Sequence, residues 1–200
     1  MGFSPSADDI REIRRITGAG MLDCKKALTE TEGNIAKATD ILRKKGLALV
    51  AKKSERVASM GLITSYIHLG GKVGVLVEIN CESDFVAKTD EFKALLHEVA
   101  MQIAAANPSY VSQNNIPEDD LNREKEVQLD RVKQEGDKPE NILEKIVEGR
   151  MKKFYSENCL LDQAYIKDDS KTVKDLVNET IAKVGENIVI GRFARFQIGD

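Results

Sequence analysis

The sequence predicts an α+β fold: a three-helix N-terminal domain, then an antiparallel sheet packed with helices and carrying a helical hairpin. Three observations lead to it. Apolar residues recur at helical spacing in three short stretches of residues 6–45, two alternating apolar runs flank Gly70-Gly71, and a charged stretch over about 117–157 carries two helix patterns on either side of "EGDKP" (135–139).

Along the chain, Ser6 with Asp9 three residues on is a capping-box signal, and Ile10, Ile13 and Ile16 follow on one face. "TGAG" (17–20) breaks this first helix. A second helix carries Met21, Cys24, Ala27 and Leu28 inward and ends near "TEGN". A third runs from about Asn34 through Ile35, Ala38, Ile41 and Leu42 to a stop at Gly46. Residues 1–46 therefore form a minimal bundle, marginal alone and suited to docking. The stretch 47–59 holds Lys52, Lys53 and Arg56 without a clear period and reads as a solvated basic linker to a core over 60–200.

The core opens with "LITSYIHL" and "KVGVLVEIN", two strands joined through Gly70-Gly71, a pair suited to the positive φ angles of a two-residue turn. Val73, Val75, Val77 and Ile79 share the face to be buried. Thr89 or Asp90 caps a helix with Phe92, Leu95, Leu96, Val99, Ala100 and Ile103 on one side, closed by Asn107-Pro108. Pro117 and Pro139 suit the first turns of the two hairpin helices, the second of which has a seam of Leu143, Val147, Met151 and Phe154. A possible strand at 160–166, a helix from about Thr172 to Val184 and a last strand at 187–198 complete the chain.

Composition narrows the function. In 200 residues with 42% hydrophobic and 32% charged side chains there is no apolar run of the roughly 18 residues a membrane helix needs, and the first residues lack the layout of a signal peptide. A soluble cytoplasmic protein without a membrane partner is expected. A net charge of −3 argues against a nucleic-acid binder. Arg150, Lys152 and Lys153 read as a solvated helix face rather than an RNA contact. Cys24, Cys81 and Cys159 are odd in number and far apart, so they read as small buried hydrophobes rather than disulfide or metal ligands.

The best enzymatic reading would use Cys81, Asp84 and His97, but Cys81 falls in the alternation of Val75, Val77 and Ile79 and should point into the core, where a thiol is inert. His68 reads as a half-exposed strand residue. No phosphate-binding loop, dinucleotide fingerprint, zinc-protease motif or nucleophile elbow is present. No catalytic residue, metal or cofactor is expected. The protein should work by touching another protein. Two rival readings are an adaptor binding a partner helix or ubiquitin-like protein through the three-helix head, and a thiol-dependent transferase at Cys81.

"TGAGMLDCKKALTE" (17–30), "NCESDFVAK" (80–88), "KIVEGRMKKF" (145–154) and the ending "VIGRFARFQIG" together resemble elongation factor Ts, the family of guanine-nucleotide exchange factors for elongation factor Tu. The resemblance covers nearly the whole chain, in order. It implies a ubiquitin-associated-like head, an α+β core with a helical hairpin insertion, and the short type with a single core module. That type implies a homodimer with one elongation factor Tu, GDP-bound or nucleotide-free, per chain. The family segment written Thr-Asp-Phe-Val, which dislodges Mg²⁺ from elongation factor Tu, corresponds to Ser83, Asp84, Phe85 and Val86. Serine for threonine keeps the hydroxyl. Met21 and Leu22 are placed by the resemblance at a helix start that covers part of the partner's G domain. Without it, Phe85 reads as a staple on the following helix and Met21 as bundle core.

Overall fold

Helix boundaries in the N-terminal part follow the capping chemistry of the side chains. The computed structural model describes residues 3–136 and 139–199. Helix α1 spans Ala7–Thr17 and opens on a complete capping box. The Ser6 hydroxyl accepts the Asp9 N–H at 3.1 Å, while the Asp9 carboxylate accepts the Ser6 N–H at 3.0 Å. It closes on Gly18 in the left-handed region, whose N–H bonds to the Arg14 carbonyl. Helix α2 spans Met21–Glu30, and α3, Ile35–Lys53, is capped by the Asn34 side chain on the Lys37 N–H. Ile13, Cys24, Ala27, Leu28, Ala38 and Leu42 form the buried cluster of this bundle. Met21 is not among them: it lies on the outer side of α2, as does Ile16 on α1.

The expected stop at Gly46 does not occur, because α3 continues through Lys53 and takes in most of the stretch read as a linker. Gly46 lies inside the helix without a positive φ, and a side chain there would meet Ala182 at 3.4 Å, an ordinary van der Waals contact, so the glycine does not act as a cap. Lys52 and Lys53 then lie in the last turn, where cations oppose the helix dipole, and Lys53 Nζ donates to the Gly185 carbonyl.

Strands β1 (Met60–Ile67), β2 (Val73–Cys81) and β5 (Ile188–Gln197) form a sheet in the order β1-β2-β5. The His68 N–H bonds to the Val73 carbonyl, and the Gly71 N–H closes a β-turn on the His68 carbonyl. The connection is therefore one residue longer on each side than a two-residue turn. Gly70 and Gly71, at φ 90° and 68°, take the positive angles that the glycine pair predicts. Val75, Val77, Ile79 and Cys81 are buried at alternate positions, with Val73 half-buried at the strand start. At one end of β2 the Ile198 N–H bonds to the Lys72 carbonyl, and at the other the Asn187 N–H bonds to the Glu82 side chain, so β2 and β5 run antiparallel.

A single helical turn, α4 (Asp84–Ala87), follows β2 and precedes α5 (Asp90–Ala106). The Thr89 hydroxyl accepts the Phe92 N–H and opens α5, whose Phe92, Leu95, Leu96, Val99, Ala100 and Ile103 are all buried. Helices α6 (Glu118–Gln134) and α7 (Glu140–Asn158) pack on each other as a hairpin, with Pro117 and Pro139 immediately before them. The "EGDKP" connection falls partly outside the described residues. The stretch 160–166 opens as a 3₁₀ turn over Leu160–Asp162, and its strand is only β3 (Ala164–Tyr165), which pairs antiparallel with β4 (Asp168–Thr172). Helix α8 spans Val173–Val184.

The chain divides into two compact units. One comprises the residues up to Ile63 with Glu78–Leu96 and Asp175–Ile190; the other comprises Thr64–Val77, His97–Lys174 and the residues from Gly191 on. No helix among the described residues is long and apolar enough to cross a membrane.

Candidate functional site

Strand β2 ends at Cys81, and the next eight residues lead to the start of α5, all within the first unit. Ser83 governs this turn. Its backbone is extended, its hydroxyl oxygen accepts the Val86 N–H at 3.3 Å, and its carbonyl accepts the Ala87 N–H at 3.2 Å, so it is the N-cap of α4. The same carbonyl also receives the Cys81 thiol at 3.2 Å.

Two carboxylates tie the turn to the loop after α8. Glu186 accepts the Ser83 N–H at 2.9 Å and the Ser83 hydroxyl at 2.7 Å. In the opposite sense, Glu82 accepts the Asn187 N–H at 2.7 Å. Past the ends of β2 and β5, side-chain oxygens thus take over from backbone carbonyls. Asn187 is buried, and its amide donates to the Arg56 carbonyl at 2.7 Å, while the Arg56 guanidinium reaches Glu82 at 3.3 Å. The Asn187 N–H above all, with help from Arg56, holds the Glu82 carboxyl below the ordinary carboxylate range against the opposing effect of burial.

A one-turn helix built this way sorts its side chains. Val86 and Ala87 face inward, and Val86 is only 4% exposed. Asp84 and Phe85 face solvent, with Phe85 81% exposed. Phe85 is therefore not a staple on α5. The four residues of the Ser83–Val86 segment divide into a cap, two outward side chains and an anchor.

The second predicted segment begins α2. Gly20 is its N-cap and supplies no side-chain bond. Met21 and Leu22 are 61% and 74% exposed, and neither belongs to the bundle core. The preceding turn is held by the Thr17 hydroxyl, which donates to the Ile13 carbonyl at 2.7 Å and accepts the Ala19 N–H at 3.3 Å.

The residues of the enzymatic reading lie in unsuitable surroundings. Cys81 is fully buried, and burial pushes its thiol above the ordinary range, as it does for Cys24. Cys159 is likewise buried and pushed up to about 11. His68 and His97 are exposed, His68 sharing a 3.1 Å contact with the Tyr66 hydroxyl. Among the described residues no group of His, Cys, Asp and Glu is arranged to hold a metal ion. Arg150 pairs with Glu135 at 2.5 Å, Lys152 with Glu148 at 2.7 Å and Lys153 with Glu157 at 3.7 Å, so these three cations are each matched by a nearby acid.

The Glu186 and Asn187 bonds were not predicted from the sequence, and no local signal points to them. Their partners are more than a hundred positions away, at 103 and 105 residues.

Comparison with known proteins gives a consistent result. The family described as Elongation factor TS matches residues 21–200. The chain is 60% identical to an Elongation factor Ts of Thermoanaerobacter sp. over 98% of its own length and 95% of that relative's. The one of Caldanaerobacter subterraneus subsp. tengcongensis is 59% identical over 98% and 97%, and that of Thermotoga neapolitana 53% identical over 98% of each.

Proposed function

The chain belongs to the elongation factor Ts family, and we propose that it promotes nucleotide exchange on elongation factor Tu by inserting Phe85 into the partner's G domain. The observation that carries this reading is an 81% exposed phenylalanine on a turn anchored from behind by Val86 and Ala87. An aromatic left in water costs free energy that contact with a partner recovers.

Inserted between elements of the G domain, Phe85 moves the helix that helps hold Mg²⁺. Loss of the ion removes the charge that neutralises the diphosphate, and GDP leaves faster so that GTP can bind. Burying one aromatic supplies roughly 1.5–3 kcal/mol, and each tenfold in rate takes about 1.36 kcal/mol, so Phe85 alone accounts for about ten- to a hundredfold. Wider contacts that favour the nucleotide-free partner supply the remainder. Met21 and Leu22, exposed at the start of α2, belong to those contacts, on a head of ubiquitin-associated type. Because coupling is reciprocal, GDP or GTP weakens binding of this chain by the factor by which the chain weakens theirs.

The chain acts as a homodimer on this reading. Ile67, Leu76, Phe196 and Ile198 are exposed apolar side chains around a groove of about 410 Å³ in the second unit, which supports a self-association surface. No reaction is catalysed by its own side chains, and neither membrane nor nucleic acid is needed.

The test is release of a fluorescent GDP analogue from elongation factor Tu. The full chain should accelerate release, and excess free Mg²⁺ should blunt the acceleration. An unchanged release rate at saturating chain would overturn the exchange function.

A further inference from the structure

Phe85 is scarcely held by packing of its own, so its direction is set by the backbone of a helix only four residues long. Such a turn has few bonds to define it. The Ala87 N–H reaches the Ser83 carbonyl and the Lys88 N–H reaches the Phe85 carbonyl, each at 3.2 Å, at the long end for such bonds. Thr89 holds the far end, its N–H and hydroxyl both donating to the Val86 carbonyl, and at the near end the Ser83 hydroxyl adds a further constraint by accepting the Val86 N–H.

We infer that Glu186 is a positioning residue for exchange: it fixes the rotation of the Ser83 hydroxyl and thereby the orientation in which Phe85 is presented. The inference rests on the exchange reading above. A serine hydroxyl has one proton and two lone pairs. Donating that proton to Glu186 Oε1 at 2.7 Å leaves lone pairs for the Val86 N–H. The other Glu186 oxygen takes the Ser83 N–H at 2.9 Å, so a single carboxylate satisfies both donors of the cap residue. Ionised acceptors make the shorter and stronger class of such bonds. Glu186 is itself placed by the end of α8, where the Gly185 N–H bonds to the Ile181 carbonyl at 2.8 Å and Lys53 holds the Gly185 carbonyl.

The reciprocal bond separates this role from general support of the fold. Glu82 holds the Asn187 N–H, and Asn187 is anchored on the Arg56 carbonyl, independently of Glu186. Removing the Glu186 carboxylate therefore leaves the ends of β2 and β5 joined and frees only the turn that carries Phe85.

The experiment uses the full chain with Glu186→Ala, Glu186→Gln and Glu186→Asp, each alone, and Glu186→Ala combined with Phe85→Ala. It reads the maximal rate of fluorescent GDP release from elongation factor Tu, the half-saturating concentration and the thermal midpoint. Glu186→Ala should lower the maximal rate by about tenfold, the effect of losing a charge-assisted bond. Added to Phe85→Ala it should change the rate by less than about twofold, because both act through one side chain. Glu186→Gln, with one acceptor oxygen for two donors, should fall between Glu186→Ala and wild type, and Glu186→Asp should recover more activity than Glu186→Gln. Should Glu186→Ala fail to fold, the near-isosteric Glu186→Gln carries the test, with a loss of about threefold expected at an unchanged midpoint. Wild-type acceleration with an undiminished Glu186→Ala or Glu186→Gln rate, or independent effects in the double variant, would overturn this inference alone. No acceleration by wild type would overturn it together with the exchange reading.

Discussion

Two helix starts carry the exposed apolar side chains through which this chain is proposed to act, and they are built in opposite ways. At α4, Phe85 stands on a serine-capped turn whose cap is bonded to Glu186 and whose next residues, Val86 and Ala87, are buried. At α2, Met21 and Leu22 follow a glycine cap with no side-chain bond. Exposure is similar at the two sites, but the support beneath it is not. A side chain that must displace part of a partner has to resist being pushed back, whereas one that covers a surface gains from adapting to it. On the proposed exchange reading, Phe85 is suited to leverage and Met21 and Leu22 to adhesion.

The largest contrast between the two sites should appear in stability. Val86→Ala removes a buried anchor and should lower unfolding free energy by about 2 kcal/mol, whereas Met21→Ala, at an exposed position, should stay within roughly 0.5 kcal/mol. Chemical denaturation of both variants checks this. Equal losses would mean that the two helix starts are supported alike. Next in size is the cap itself. Ser83→Ala should cost about 1–2 kcal/mol, while Gly20→Ala, with no side-chain bond to lose, should cost less than Ser83→Ala. Gly20 has φ −61° and ψ 147°, angles open to alanine, with the nearest atom, on Asp23, 3.9 Å from an added side chain.

A smaller effect should be visible in acid. Because the folded Glu82 carboxyl titrates below its ordinary value of 4.5, its contribution to stability is present above that pH and is lost as pH falls through the folded value. Thermal midpoints measured from pH 6 downward should therefore drop less steeply for Glu82→Gln than for wild type. Parallel curves would mean that the bond between Glu82 and the Asn187 N–H adds nothing to stability. The smallest effect is expected for Cys81→Ala, which should leave exchange within about twofold, since the Ser83 carbonyl keeps its bond from the Ala87 N–H. A large loss of activity would revive thiol chemistry at that position.

Legibility in the sequence follows the range of the interactions involved. The Ser6–Asp9 capping box, the Asn34 cap, the Gly70-Gly71 turn and the buried stripe of α5 are set by residues within a few positions of one another, and all are readable from local spacing. Gly46 misleads because a glycine inside a continuing helix carries the same letter as one that ends a helix. Strand β4, "DDSKT", lacks any apolar alternation and exists by pairing with β3. The 84–87 turn is too short to show a period. At the candidate site, the Ser83–Val86 segment was marked by its resemblance to the family, but which of its members face solvent depends on tertiary placement, and so do the bonds from Glu186 and to Glu82.

The most direct test of the contrast is a side-by-side titration of fluorescent GDP release from elongation factor Tu with wild type, Phe85→Ala and Leu22→Ala, separating maximal rate from half-saturating concentration. Phe85→Ala should reduce the maximal rate by about ten- to a hundredfold, and Leu22→Ala should raise the half-saturating concentration by about tenfold with the maximal rate intact. A maximal rate reduced by Leu22→Ala and untouched by Phe85→Ala would contradict the assignment of the lever to the turn that carries Phe85.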